Sequence, residues 1–320
     1  VDSYLKQTAV ANPHVRLEYT DPSGEKTLYK RAVRDVPPEP MEIQPHPHGV
    51  ELGRLMEMLK ATSSQRVTSF LSSEFSRVGS TLAKRIVEAA AKHDASITLK
   101  THPKRVARKQ ADALHKAIQD TKIPSPPTAC LSPIGADALK AGLKKEVDAD
   151  FFAAVSRPPS VYRGNPFLIE VAIAYGRPQT EEIEVADTGH MTKVKKTKKT
   201  DAAELIGHSE EQARVMRLAN RVPLQYQQSA CAITKASVQT NWRSYGLSQP
   251  KGSLPVGSLA ICVHIASVWV PFTSESKEAV ASYPEILKEL RLALQDCGRQ
   301  LGRHVRKKKK IQREFDKREF

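Results

Sequence analysis

The feature that most constrains this chain is a run of almost uninterrupted apolar residues from Leu259 to Val270, which ends abruptly in the polar sequence TSESKE. Such a run is typical of a β-strand that is covered on both faces. The polar segment places Lys277 between Glu275 and Glu278. A short Ser/Thr-rich loop after a buried strand can hold an ammonium group in a defined place, and lysine acts on phosphate as a compact point charge. From composition alone, a solvated surface lysine is the more ordinary interpretation.

The charge of the chain indicates a polyanionic partner. Its 320 residues carry a net charge of +15 and the pI is about 9.6, so nucleic acid is the first candidate and an anionic membrane surface the second. No apolar run approaches the roughly 18–20 residues of a membrane-spanning helix, and the first residues lack the hydrophobic region of a signal peptide. We therefore expect a soluble intracellular protein whose partner is a polyanion.

Disulfides and metal sites are not expected. The cysteines lie far apart without a C-x-x-C pair, at Cys130, Cys231, Cys262 and Cys297. His46 and His48 flank a proline with no cysteine or acidic ligand set nearby, which is more typical of a rigid linker than of a metal site.

A proline-rich segment divides the chain. Five prolines crowd residues 37–47, and because each one fixes φ and disfavours helix at its predecessor, this segment is predicted to be an extended linker. Amphipathic patterns then predict helices near residues 50–60, 67–75, 81–91, 109–120 and 134–143. The second and third of these are joined by a tight Val-Gly-Ser turn, as in helix-turn-helix or helix-hairpin-helix motifs. The sequence thus predicts a small all-α domain over residues 45–152.

From Pro158 onward the periodicity changes to that of strands. Strands are predicted at 165–176, 213–224 and 258–272, a helix at 228–241, and a long helix from Pro284 with Ser282 as its N-cap. That helix has an apolar seam for its own sheet or for a partner helix, formed by Leu287, Leu290, Leu294, Cys297 and Leu301. The insertion at 177–207 is acidic first and then basic, and is predicted to be a mobile loop. The fold class is therefore α+β.

The first 44 residues begin in a helical pattern and continue into a predicted hairpin, with strands near residues 15–19 and 27–29. Val1 is not a start methionine and the last residues have the character of a helix interior, so we expect an internal fragment.

Several segments resemble one protein family over nearly the whole chain. They include FSRVGSTLAKRIVEAA, CLSPIGADALKAGLKKEVDADFFAAVSRPPSVYRGNPFLIEVAIAYG, RLANRVPLQYQQSA and VPFTSESKEAVASYPEILKELRLALQ. Together they resemble the B subunit of DNA topoisomerase VI. The resemblance implies a remnant of a gyrase–Hsp90–kinase-type ATPase domain plus linker (1–44), a helix-two-turn-helix domain (45–152), and a transducer domain (153–320). The family's transducer has a left-handed βαβ crossover and a long stalk helix.

The resemblance assigns a role to Lys277, which matches the family's switch lysine that reaches the γ-phosphate of ATP. Many relatives have a glycine directly before this lysine, where this chain has Ser276, and the substitution is expected to restrict the loop. ATP and Mg²⁺ would be bound mainly by the ATPase domain upstream, since the chain has no G-x-G-x-x-G motif and no P-loop. We expect no catalytic residue here, because the family's DNA-cleaving tyrosine belongs to the A subunit. That role is therefore not assigned to Tyr162, Tyr175 or Tyr226.

Two sets of residues are candidates for contact with the DNA backbone. Trp242, Arg243 and Tyr245 match the family's W-K-x-Y motif with arginine in place of lysine, although the two aromatic residues have the spacing of core anchors as well. In the helical domain a dense basic run has few opposing acids, and a solvated basic face is the alternative. The candidates in this run are Lys84, Arg85, Lys104, Arg105, Arg108 and Lys109.

The function implied by the resemblance is that of the B-subunit portion of an ATP-dependent type IIB topoisomerase. ATP binding would be coupled to double-strand cleavage and strand passage by the A subunit. The resemblance implies double-stranded DNA, the A subunit and a second B subunit as partners, no membrane partner, and an intracellular, DNA-associated location. The alternative is a non-catalytic scaffold that binds DNA for a double-strand-break protein.

Overall fold

The computed structural model describes residues 1–176, 181–185, 191–195 and 212–316. The helices of this part are α1 (Asp2–Ala11), α2 (Leu52–Ala61), α3 (Val67–Glu74), α4 (Ser80–His93), α5 (Arg108–Asp120), α6 (Ala136–Glu146), α7 (Ala232–Gln239) and α8 (Pro284–Asp316). The strands are β1 (Leu17–Thr20), β2 (Lys26–Tyr29), β3 (Phe151–Ser156), β4 (Ser160–Tyr162), β5 (Asn165–Tyr175), β6 (Glu181–Val185), β7 (Met191–Lys195), β8 (Arg214–Ala219), β9 (Val222–Pro223) and β10 (Leu259–Ser267). Short 3-10 helices lie at Pro47–Gly49, Pro103–Arg105, Gln228–Ala230 and Trp242–Tyr245.

The centre of the fold is a six-stranded mixed sheet in the order β3-β5-β10-β8-β9, with β4 also paired to β5. Strand β10 is antiparallel to β5, from the pair Leu259–Tyr175 to the pair Ser267–Phe167, and parallel to β8. Every residue of β10 is buried, which confirms the predicted strand with two covered faces. The α+β fold class is confirmed as well.

Strand β10 ends at Ser267, three residues before the end of the apolar run at Val270 and five before the predicted strand end at residue 272. The Asn220 side chain donates to the Ser267 carbonyl and accepts from the Ser267 amide, both at 2.9 Å. Because this side-chain amide satisfies both backbone groups of Ser267, sheet pairing stops there. The next two side chains, Val268 and Trp269, are 51% and 50% exposed. The prediction of a buried strand through Val270 is therefore wrong at its end.

The two faces of the sheet carry side chains of different size. On one face, β-branched residues of β10 such as Val263 and Ile265 pack with the apolar side of α8. On the other face β10 presents the small residues Ala260 and Cys262 toward Leu139 of α6. Side chains alternate across a strand, so the pattern of large and small residues lets α6 approach the sheet closely.

Helices α2 to α5 form a separate apolar cluster. These four predicted helices are present, with ends that lie within two residues of the predicted ones. Helix α6 differs from the others because it contacts α1, β3 and β5. The predicted domain boundary at residue 152 groups α6 with the helical domain, whereas its packing places it against the sheet.

The PHPHG segment joins the helical cluster to the sheet. His46 Nε2 lies 3.0 Å from the Pro124 carbonyl, and His48 Nε2 lies 3.1 Å from the Ile118 carbonyl. A Cβ on Gly49 would lie 2.6 Å from the Arg163 carbonyl in the β4–β5 turn, so a side chain is excluded there. Both imidazoles are engaged by backbone, as the rigid-linker interpretation predicts.

Helix α8 is 33 residues long and docks on the sheet along its N-terminal part. Its buried residues are Ile286, Leu290, Ala293, Leu294, Cys297, Leu301 and Val305. Arg157 pairs with Glu289 at 3.2 Å, and Lys308 pairs with Asp150 at 2.7 Å. The seam therefore faces the chain's own sheet.

The helix begins at Pro284, so its N-cap position is Tyr283, and the predicted N-cap Ser282 is wrong by one residue.

The remaining predictions concern the peripheral segments. Strands β1 and β2 pair from Leu17–Tyr29 to Thr20–Lys26, which confirms the predicted hairpin. Within the insertion at 177–207, strands β6 and β7 pair antiparallel where a loop was predicted. The rest of that insertion, residues 177–180, 186–190 and 196–207, lies outside the described residues. Among the described helices, none is both long and apolar enough to cross a membrane.

Candidate functional site

Lys277 lies at the tip of a small hairpin that follows β10. The two arms are joined by a bridge between Phe272 and Val280, and the Thr273 amide donates to the Ala279 carbonyl at 2.9 Å. Below that pair, the Ala281 amide donates to the Pro271 carbonyl at 2.7 Å. We refer to residues 271–281 as the lysine hairpin. Backbone hydrogen bonds hold the two arms together, and the exposed Lys277 side chain projects from the tip of this hairpin.

The backbone of Lys277 is in the left-handed region, with φ of 56°. This conformation costs an L-residue roughly 1–2 kcal/mol, and it persists only when the surroundings determine it. Ser276 does not have a positive φ, and its hydroxyl lies 2.8 Å from the Ser274 hydroxyl. The serine that replaces the family's glycine therefore needs no glycine-only conformation, and the expected restriction of the loop at that position does not arise from backbone strain.

The Lys277 ammonium has no hydrogen bond or ion pair with any residue of the described part of the chain, although Glu275 and Glu278 are its near neighbours in sequence. An exposed cation on an ordered hairpin is free to meet an anion that approaches from outside. This arrangement fits a lysine that binds phosphate on another domain.

The base of the lysine hairpin is fixed to helix α7. The Val280 amide donates to Cys231 Sγ at 3.4 Å, and the Ala232 amide donates to the Val280 carbonyl at 2.8 Å. Lys235 of α7 donates to the Ser282 hydroxyl at 3.2 Å. A displacement of the hairpin must therefore move α7 as well.

A fully buried carboxylate lies at the centre of the sheet. Glu170 Oε2 accepts from the Ile134 amide and from His264 Nδ1, both at 2.8 Å. Its Oε1 accepts from the Gly135 amide at 2.8 Å and from the Ser156 hydroxyl at 2.6 Å. Burial alone raises the pKa of Glu170, but the bonds from His264, Ser156 and Ile134 outweigh burial and lower it below its usual value. The carboxylate thus binds the segment before α6 to β5 and β10.

The partners of His264 determine its tautomer. An ionised carboxylate only accepts, so Nδ1 carries the proton that is donated to Glu170. The Arg221 amide only donates, and it lies 3.0 Å from His264 Nε2, so this nitrogen accepts. His264 is therefore a neutral imidazole that joins the β8–β9 turn to Glu170.

Sequence reasoning missed both of these residues and the buried Arg217 of β8. The signal was present, because each is an ionisable residue inside an apolar strand: FLIEVAIA, AICVHIAS and RVMRLA. A buried ionisable group is costly unless it is bonded, so an interruption of this kind indicates a polar contact that specifies the fold.

The structure contradicts the predicted DNA contact of Trp242. This side chain is fully buried, and its indole Nε1 donates to the Ser237 carbonyl at 2.8 Å. Tyr245 packs edge-to-face on Trp242 with ring centroids 6.1 Å apart, and a Cβ on Gly298 of α8 would overlap the Tyr245 ring. The core-anchor alternative thus describes these aromatic residues. Arg243 is exposed and donates to the Gln249 carbonyl at 2.7 Å, so it remains a candidate.

The basic candidates of the helical domain all lie on the surface. Lys84 and Arg85 are on α4, whereas the others lie in the Pro103–Arg105 turn and in the first turn of α5. Gln110 Nε2 donates to the Ser96 hydroxyl at 2.8 Å, which holds the start of α5 beside the end of α4. The Ser96 side chain is the main cause of the lowered pKa of Asp94, to which Lys109 also contributes. None of these cations has an ion pair with a carboxylate of the described residues: Lys84, Arg85, Lys104, Arg105, Arg108 and Lys109.

In the described ranges, no three His, Cys, Asp or Glu side chains lie close enough to hold a metal ion. The groups with phosphate-binding chemistry are instead the cations of the lysine hairpin and of the helical domain. The described part of the chain is thus an α+β type of protein with two exposed groups of cations.

Comparison with known sequences agrees with this type. Residues 126–317 match the family described as the transducer of the topoisomerase VI B subunit. The chain is 40% identical over 314 residues to the B subunit of type 2 DNA topoisomerase 6 from Methanococcoides burtonii, which covers 98% of the chain and 45% of that protein. It is 40% identical over 308 residues to the corresponding protein of Archaeoglobus fulgidus, covering 96% of the chain and 46% of that protein. The chain belongs to the topoisomerase VI B-subunit family, and it spans about half the length of these relatives.

Proposed function

We propose that this chain is the coupling part of the B subunit of an ATP-dependent type IIB DNA topoisomerase. The observation that carries the proposal is the exposed ammonium of Lys277 on an ordered hairpin that continues directly into α8. In this proposal Lys277 binds the γ-phosphate of ATP held by an ATPase domain of the same polypeptide. The pull on the hairpin then rotates the sheet and α8.

The same proposal includes the fold of the helical cluster and the handedness of the crossover in the sheet. The helical cluster would be a helix-two-turn-helix domain, and the connection from β8 through α7 to the parallel strand β10 would be a left-handed crossover. Support comes from the order of the elements and from the parallel β8–β10 pairing. A left-handed crossover is rare, so the family resemblance carries more of this argument than the pairing does.

The proposed partners follow from the same role. ATP and Mg²⁺ would be bound mainly by the ATPase domain, a second B subunit would join in the ATP-bound state, and the A subunit would cut both strands of one duplex. The protein would act with DNA inside the cell. Retention of an exposed lysine at the hairpin tip favours this function over a scaffold that has lost its response to ATP.

The chain by itself should neither hydrolyse ATP nor relax supercoiled DNA. It has no G-x-G-x-x-G motif and no P-loop, and in the proposal the cleaving tyrosine belongs to the A subunit. Phosphate release and plasmid relaxation by the purified chain should equal a buffer blank. Turnover that survives repurification and follows the chain through a sizing column would contradict the proposed division of labour.

Binding to duplex DNA should depend steeply on salt. A protein that neutralises six to ten phosphates loses roughly 10³–10⁵ in affinity between about 50 and 200 mM salt, and the exposed cations of the helical domain provide contacts of this kind. The slope of log K against log salt is negative, and the Arg105→Ala/Arg108→Ala variant should make it less steep by about 1.8, or about 0.9 for each contact that is lost.

The matched control is Arg16→Ala/Lys26→Ala, which removes two positive charges from the β1–β2 hairpin, where both pair with Glu18. This control should keep the parent slope. If the two double variants change the slope equally, net charge alone explains binding and the proposed surface is wrong. Fluorescence anisotropy with a labelled duplex measures both.

A further inference from the structure

Arg217 is a buried cation whose role the proposed function leaves open. It is the fourth residue of β8 and is 1% exposed. Its Nη2 donates to the carbonyls of Leu224 and Tyr226, both at 2.9 Å, and its Nη1 donates to the Glu278 carbonyl at 3.4 Å. These uncharged carbonyls are its partners in the described part of the chain. Because a buried guanidinium is costly without strong compensation, this position needs a reason beyond packing.

The carbonyls that Arg217 binds belong to two separate loops. Glu278 directly follows Lys277, which has a positive φ. Leu224 and Tyr226 lie in the loop before α7, and Tyr226 directly precedes Gln227, which also has a positive φ of 53°. The guanidinium is a planar fork with donors in fixed directions. One side chain therefore sets the distance between the two loops and holds a carbonyl adjacent to each left-handed residue.

We propose that Arg217 is a positioning residue for Lys277, which keeps the hairpin tip in its phosphate-binding conformation and transmits its displacement to β8. The inference rests on the proposed function, since it assumes that Lys277 binds the γ-phosphate. The contact to Glu278 is the longest of the three. A side chain with fewer hydrogen-bond donors should therefore lose the contact to Glu278 first, which releases the hairpin, while the loop before α7 remains bound.

The substitution Arg217→Lys tests this geometry, because it keeps the charge and removes the fork. In the full-length protein, hydrogen exchange should accelerate at least tenfold at the hydrogen-bonded amides of residues 273–281, with β5 and β10 unchanged. The control is Arg66→Lys, the same change at an exposed position of the helical domain, which should leave exchange in the hairpin as in the parent. Unchanged exchange in the hairpin of Arg217→Lys would overturn the proposal.

A double-mutant cycle then separates positioning from a general structural effect. With the A subunit present, Arg217→Lys should lower ATP-dependent strand passage about tenfold, a difference of roughly 1.4 kcal/mol. Combined with Lys277→Ala, it should cause little further loss, because a residue that acts through Lys277 has no effect once Lys277 is gone. If the two losses multiply, Arg217 does not act through Lys277.

The outcomes for Arg217 and for the proposed function are distinct. If Lys277→Ala alone leaves strand passage at the parent level, the proposed function fails, whatever Arg217→Lys does. If Lys277→Ala is defective and the losses multiply, only the role of Arg217 is overturned. Should Arg217→Lys fail to fold, Arg217→Met serves as the second variant, since an apolar side chain of similar length fills the buried site without a charge. Because methionine donates no hydrogen bond, exchange should accelerate in the loop before α7 as well as in the hairpin, and the same lack of additivity with Lys277→Ala is expected.

Discussion

Replacing Lys277 by alanine in the full-length protein, together with its A subunit, should reduce ATP turnover and strand passage roughly ten- to a hundredfold. The ammonium is free in the described chain and lies at the tip of an ordered hairpin, so in the proposed function its contact with phosphate would form only when the ATPase domain closes on it. Loss of one charge-assisted contact is worth about 1.5–3 kcal/mol. DNA affinity should remain nearly unchanged, because the basic residues of the helical domain are untouched.

Two further variants separate the charge of Lys277 from its backbone. Lys277→Asn removes the ammonium but tolerates the left-handed conformation better than alanine does, so it should be as defective as Lys277→Ala if charge is what matters. Lys277→Arg should rescue only in part, since the guanidinium is wider than an ammonium group. The control Lys251→Ala removes an exposed charge from another loop of the same domain. Full activity of Lys277→Asn would show that Lys277 is an ordinary surface lysine.

The isosteric substitution Glu170→Gln should destabilise the fold by about 2–6 kcal/mol, because each of two buried donors left without an acceptor costs about 1–3 kcal/mol. Four donors converge on the two carboxylate oxygens, so every acceptor position is used. A glutamine would turn an NH₂ group toward two of these donors and leave them unsatisfied. Urea unfolding followed by circular dichroism measures the change, and a loss below about 1 kcal/mol would contradict this account.

The matched control for this substitution is Glu57→Gln, where the carboxylate pairs with Arg54 on the surface and both side chains are 69% exposed. A surface pair of this kind contributes about 0–1 kcal/mol.

The parent should also be acid-sensitive through Glu170. Its folded pKa lies below the usual value of 4.5, so the stabilisation is present above that pH and is lost as the pH falls through the folded pKa. Glu170→Gln should lack this part of the acid transition.

The main elements could be predicted from the sequence because each has a distinct apolar pattern. Strands β5 and β10 are continuous apolar runs rich in β-branched residues with polar or turn residues at their ends, and helix α8 has an apolar seam at helical spacing. The end of β10 could not be predicted in this way. It depends on Asn220, which is distant in sequence and satisfies the backbone of Ser267 through its side chain.

A site residue could be predicted only where its side-chain chemistry and its place in the secondary structure could both be inferred from the local sequence. Lys277 follows a strand, and its exposure follows from the polar loop. The Trp242 motif was ambiguous, because aromatic residues at helical spacing have the same pattern in a core as on a surface, and only the indole bond to Ser237 decides between them. Arg217 and Glu170 were visible as interruptions, but their partners come from loops that no local pattern connects to them.

The docking of α8 along the sheet has a thermodynamic consequence. Residues from Ile286 to Val305 bury one side of the helix, and the lysine hairpin ends only a few residues before Pro284. In the proposed function, phosphate at one end and a partner at the other would therefore act on a single rigid body. Coupling free energies between two binding sites are reciprocal. A partner that favours one orientation of the helix must therefore change nucleotide affinity by the same factor by which nucleotide changes the partner's affinity. Binding of a partner to the far end of α8 would then be measurable as a change in the affinity for ATP.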